Sequence, residues 1–125
     1  MADLPPEPND SDRLPDDAVV VRGGYMRNKS LKISAQVHCD ETGGEYGWCF
    51  WCCPGKTADE IARDADFDAD VIRTSTVGRI RLAGFEIAPD RDEDDHVVVA
   101  LSGEPDSGVC KRLRDAFDEA RPIGG

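Results

Sequence analysis

The chain has no apolar run approaching the roughly 18 residues that a membrane-spanning helix requires. Its opening, Met1-Ala2-Asp3-Leu4-Pro5-Pro6, has neither the basic nor the apolar stretch of a secretory signal. No membrane span is expected, and the cytoplasm is the expected location. Bases are scarce: 15 Lys and Arg stand against 26 Asp and Glu, for a net charge of −11 and a pI of about 4.5. That balance opposes nucleic acid, whose phosphates attract cations, and anionic membrane surfaces. A basic protein is the partner it suits. An even, well-spread set of cysteines is also lacking. There are five, and Cys39, Cys49, Cys52 and Cys53 crowd into one stretch, so no disulfide framework is expected and the thiols are read as reduced. No internal repeat is visible.

What is present is one domain's worth of chain. At 125 residues, with 39% hydrophobic and 33% charged residues, it can bury a core without staples. The acid is concentrated. Residues 1–17 hold six acids and one Arg, residues 58–70 the same, and residues 90–95 five acids and one Arg. The remainder is slightly basic, centred on Arg22, Arg27, Lys29 and Lys32. Residues 1–13, rich in Pro and acid, read as a disordered tail; 14–122 read as a single α+β domain and 123–125 as a flexible end.

Ala18-Val19-Val20-Val21 predicts a buried strand ended by Gly23-Gly24. Residues 30–40 carry two periods at once. Leu31, Ile33, Ala35, Val37 and Cys39 alternate as in a strand, whereas Leu31, Ala35 and His38 fall at helical spacing. Residues 46–53 predict a strand stopped by Pro54-Gly55. Thr57-x-x-Glu60 is a capping box that opens a helix over about 58–65. Val71-Ile72-Arg73 reads as a brief strand, and Thr76 as the cap of a helix bearing Val77, Ile80 and Ala83 and stopped by Gly84. Phe85-Glu86-Ile87 and residues 96–101 predict strands. Pro105 opens the last helix, with Val109, Leu113 and Phe117 as its stripe and Pro122 as its end. The whole predicts a small mixed α+β domain, a short sheet packed by about three helices, without the βαβ series of a doubly wound fold.

Three strings carry a family resemblance: Leu14-Pro15-Asp16-Asp17 with Val20-Val21-Arg22-Gly23-Gly24; Pro54-Gly55-x-Thr57-x-Asp59-Glu60-Ile61-Ala62; and Ser75-Thr76-Val77-Gly78-Arg79-Ile80-Arg81-x-Ala83-Gly84-Phe85-Glu86. Together they resemble a family of small uncharacterised actinobacterial proteins over most of residues 14–122. The resemblance implies a helix at 30–40 and implies no activity. The chain departs from it at residues 48–53, where relatives look richer in small residues.

Several constellations carry chemistry. His38-Cys39 and Cys49-x-x-Cys52-Cys53 offer possible zinc ligands, Cys39, Cys49, Cys52 and Cys53. Within a strand, however, Cys49 and Cys52 face opposite sides, and no second pair completes a tetrahedron. Structural thiols are the simpler reading, and no metal or other cofactor is expected. Arg22-Gly23-Gly24 after a buried strand is loosely similar to the opening of ADP-ribosyltransferase-like folds, with Thr74-Ser75-Thr76 and Glu86 or Glu104 as companions. Gly84-Phe85, a strand, a loop and then His96 are similar to the HicA-type RNase toxins, which use a His as acid/base; here Asp94-Asp95 stand where that pattern has small residues. Asp64-x-Asp66-x-Asp68-x-Asp70 lacks the Gly and Glu of a calcium loop in either register and reads as a solvated acidic face. The ending Gly124-Gly125 is that of ubiquitin-like modifiers, but their opening β-hairpin and helix are not evident. Two functions follow as expectations. The first is a protein-binding or regulatory module, of the antitoxin or inhibitor kind, acting through its acidic segments. The second is a small toxin-type enzyme on RNA or a nucleotide, with Arg22, Ser75 and His96 as its candidate catalytic residues.

Overall fold

A computed structural model describes residues 14–65, 70–90 and 95–123. The expected tail over 1–13, Gly124-Gly125, Asp66 and Asp68 of the calcium-like string, and residues 91–94 of the acidic loop lie outside the described residues. The elements run β1 (Val19–Gly23), α1 (Asn28–Thr42), β2 (Gly47–Cys52), α2 (Ala58–Ala65), β3 (Val71–Thr76), α3 (Val77–Leu82), β4 (Glu86–Pro89), β5 (His96–Ala100), α4 (Ser107–Asp115) and β6 (Arg121–Pro122). The fold is α+β. One six-stranded sheet in the order β4-β5-β2-β1-β3-β6 is antiparallel at every pairing.

Alternation along the strands separates two cores. Val20, Trp48, Phe50, Cys52, Val97 and Val99 face α1, α3 and α4, which contribute Leu31, Ala35, Val77, Ile80, Cys110 and Leu113. Val21 and Ile72 face the other way and pack on Ile61 and Ala62 of α2, with Trp51 and Cys53 at the margin. Adjacent Val20 and Val21 are both fully buried because β1 lies inside the sheet with helices on both sides. Among the described residues no helix is long and apolar enough to cross a membrane.

Residues 30–40 are helical, so the helices number four among the described residues rather than about three. Leu31 and Ala35, one turn apart, are the buried pair of α1. Ile33 and Val37, which supply the competing strand period, remain 54% and 47% exposed. Gly43 closes α1 in the left-handed region (φ 81°), and its N–H and that of Gly44 donate to Cys39 O at 3.0 and 2.9 Å. The capping box at α2 forms in both directions: Thr57 N–H donates to Glu60 Oε1 and Glu60 N–H to Thr57 Oγ1, each at 3.2 Å. Thr76 accepts from Arg79 N–H to open α3.

Four boundaries differ from expectation. The strand at 71–73 runs on to Thr76, because β1 pairs with it along its length. Pro89 lies within β4, where an edge position costs no ladder bond. Asp106, not Pro105, caps α4, accepting from Val109 N–H at 2.8 Å; Cys110 joins the expected Leu113 as a buried position of the helix, Val109 is only partly buried, and Phe117, buried as expected, lies just past the helix end. Pro122 does not stop that helix, which ends at Asp115, but pairs with Val71 across β6 and β3.

Candidate functional site

The three candidate catalytic residues are not gathered around one point. Ser75 is buried, on the face that packs α4, and donates to Ala116 O at 2.6 Å. Its hydroxyl serves the α4 exit. His96 lies beside α2, on the opposite face, with its ring edge-on to Trp51 (centroids 3.9 Å apart, 85° between planes). Its Nε2 is buried and meets no hydrogen-bond partner among the described residues. Arg22 reaches into the α1 side. Nη1 donates to Cys49 O at 3.0 Å and Nη2 to Ser34 Oγ at 2.9 Å, while the guanidinium lies 5.4 Å from the Phe50 ring centroid. Burial lowers the Arg22 guanidinium from its ordinary value, and the Cys49 sulfur opposes that shift.

The cysteines separate as well. All five are free. Cys49 is exposed and Cys52, three residues on, is in the core. Burial pushes the Cys52 thiol up to about 11, with Cys53 and Asp95 adding to it. Cys53, on the α2 side, is raised by burial and by a hydrogen bond with Asp95. Cys110, on the buried face of α4, is likewise raised by burial. Among the described residues no group of three or more His, Cys, Asp or Glu side chains could hold a metal ion.

The structure does assemble a polar cluster that local sequence patterns left in pieces. The ladder between β1 and β2 has two register pairs, Val20↔Cys52 and Val21↔Trp51. One residue farther along β1, Arg22 reaches across to the Cys49 carbonyl. Ser34 and His38, one turn apart on α1, complete the group: Ser34 accepts from Arg22, and His38 Nδ1 lies 3.8 Å from Cys49 Sγ. Gly47 makes room for the imidazole, since a Cβ there would lie 3.0 Å from His38 Cδ2 and 3.1 Å from Nε2. The signal for His38 was in the sequence, as the third member of the Leu31, Ala35, His38 stripe. Nothing marked Ser34.

Charge is sorted between the two faces. Helices α1, α3 and α4 carry seven Lys or Arg against three Asp or Glu. On the other face α2 carries three acids against one Arg. Two acidic segments remote in sequence meet there. Asp64 of α2 and Asp95, at the start of β5, line one small hollow with Trp51, Cys53, Lys56, Ile61 and Ala65. Cys52 N–H donates to Asp95 O at 2.8 Å, tying that acidic turn to the end of β2. Lys56–Asp64 (2.7 Å) and Arg121–Asp59 (2.9 Å) pair within the same face, and Lys56 draws the Asp64 carboxyl below its ordinary value. A larger hollow of about 490 Å³ lies at the opposite end of the sheet, lined by Phe85, Glu86, Glu104, Pro105 and Arg112 among others.

Compared with protein-family models, curated proteins and solved structures, the chain matches none.

Proposed function

We propose that this protein is a protein-binding, regulatory module whose acidic face, formed by α2 and the turn at Asp95, receives a basic partner. The convergence of Asp64 and Asp95 on one hollow carries the reading. Residues 58–70 and 90–95 each hold a surplus of acid, and the fold brings described parts of both to the side of the sheet away from the bases of α1, α3 and α4. A surface of one sign set against its opposite orients an approaching partner and raises the rate of productive encounter. The Lys56–Asp64 and Arg121–Asp59 pairs hold their side chains in place, while Glu60, which caps α2 through one oxygen, and Asp95, which bonds Cys53, remain exposed to the partner.

Capture from native lysate at low ionic strength tests the reading. A basic protein is expected to be retained, to be released at about 1 M salt, where the screening length falls to about 3 Å, and to bind Glu60→Gln/Asp95→Asn more weakly. Gln keeps the capping acceptor, and Asn tolerates the left-handed backbone of residue 95 (φ 64°). Recovery of the protein alone at low and high salt would remove the proposal.

A further inference from the structure

Of the five thiols, Cys49 is the one in which exposure, a base and a cation come together. It is the exposed one; Cys39 and Cys53 are half-buried, and Cys52 and Cys110 are in the core. It has a base within reach, His38 Nδ1 at 3.8 Å. It also has a cation beside it, since Arg22 donates to its carbonyl and interacts favourably with its sulfur. Each of these raises thiol reactivity: access admits the co-reactant, an imidazole takes the proton, and positive charge favours the thiolate, which is the nucleophile. The arrangement is held from three elements. Arg22 is fixed by Ser34 as well as by Cys49 O. The imidazole is confined between α1 and the bare Cα of Gly47, with its Nε2 edge toward the strand and Nδ1 toward the sulfur.

We propose that Cys49 is the reactive thiol of this protein and a site of reversible S-thiolation, taking low-molecular-weight disulfides such as oxidised glutathione, with His38 as its base. In the tautomer protonated on Nε2, His38 Nδ1 accepts the Cys49 proton. The thiolate attacks one sulfur of the disulfide, a new S–S bond forms to Cys49, and the S–S bond of the co-reactant breaks. The departing thiolate takes the proton from His38. One thiol and one disulfide are consumed, and one mixed disulfide and one thiol are produced, so no further oxidant enters. An excess of free thiol drives the same step backward. The co-reactant is a small disulfide because the sulfur meets solvent at the surface and because attack needs a direct approach to it. This site is independent of the charged-face reading above.

The test uses the full, reduced chain incubated with an equimolar amount of oxidised glutathione, quenched with acid and read by intact mass and peptide mapping. A single glutathione adduct is expected, on Cys49, removed by dithiothreitol and lost in Cys49→Ser. His38→Gln is expected to slow the reaction at Cys49 by about three- to tenfold, because the thiolate fraction falls while its intrinsic nucleophilicity rises in part compensation. Far-UV circular dichroism and the melting temperature of that variant report whether the fold persists. Repeating the reaction in urea supplies the unfolded reference, in which the five thiols lose their environments and the two chains react alike. Adducts mainly on Cys39 or Cys53, a Cys49 rate in the folded chain no greater than in urea, or an unchanged rate in folded His38→Gln would each overturn the proposal.

Discussion

Trp48→Ala is expected to lower the free energy of unfolding by about 3–5 kcal/mol, the range for truncating a large aromatic in a packed core. Trp48 is fully buried between α1 and the sheet. Its ring meets Phe85 edge-on with centroids 6.1 Å apart, and its Nε1–H donates to Leu31 O at 2.8 Å. That bond joins strand to helix at the first buried position of α1, so the substitution opens a cavity and removes a tether together. Since a domain of this size is stable by about 5–15 kcal/mol in all, the urea midpoint will fall far or the chain will not fold. Trp48→Phe separates the two losses. It keeps most of the apolar volume and gives up the N–H, and is expected to cost about 1–2 kcal/mol. Urea unfolding followed by far-UV circular dichroism reads both variants. A cost below 1 kcal/mol for Ala would show that Trp48 is not the centre of this core.

Arg73→Met is expected to cost about 2–4 kcal/mol, by loss of charged hydrogen bonds that act as one unit. Arg73 projects from β3 and spreads its guanidinium over four carbonyls: Nε donates to Asp118 O at 2.8 Å, Nη1 to Tyr25 O at 3.2 Å, and Nη2 to Arg114 O and Phe117 O at 3.3 and 3.4 Å. The last carbonyls of a helix have no partners within it and carry its negative dipole end. Arg73 therefore closes α4 and fixes the segment that follows, while binding the turn before α1. Burial and neighbouring Arg114 lower its pKa, and Glu119, Asp115 and Asp118 offset part of that. Relief of the repulsion from Arg114 places the expected cost nearer the lower bound. Met preserves the aliphatic stem, so the loss reports the head group. Lys, with a compact ammonium, cannot reach four acceptors in this geometry and should restore less than half. Thermal unfolding of the three chains orders them; Lys equal to Arg would reject the carbonyl clamp.

The parts of this fold that were legible are those fixed by neighbours in sequence. The α2 helix could be placed because Thr57 and Glu60 satisfy each other's orphan N–H groups with no help from elsewhere. The strand at β2 could be placed because residues 46–53 concentrate aromatic and cysteine side chains just before Pro54-Gly55. What stayed open or failed depended on distant partners. Residues 30–40 hold two periods because Ile33 and Val37 are apolar yet outward, and only the sheet beneath Leu31 and Ala35 decides between them. Pro122 looks like a helix stop until Val71 pairs with it. The candidate site divides the same way. Arg22 stood out as an Arg at a strand end and Cys49 as one of a crowded set. Their junction with Ser34 and His38 comes from α1 lying across two strands that pair over a short stretch, which no local pattern encodes.

The strand order has a kinetic consequence. β4 and β5 are the one pair of sheet neighbours, among the described strands, that follow directly in the chain. Every other rung joins segments with at least a helix between them: β1 waits for β2 and β3, β2 for β5, and β3 for β6 near the chain's end. The entropy of closing those loops is spent before any rung repays it. This chain should therefore refold on the slow side for its length. Until β5 and β6 arrive, β2 and β3 present open edges, and in that interval a second unfinished copy can pair with them.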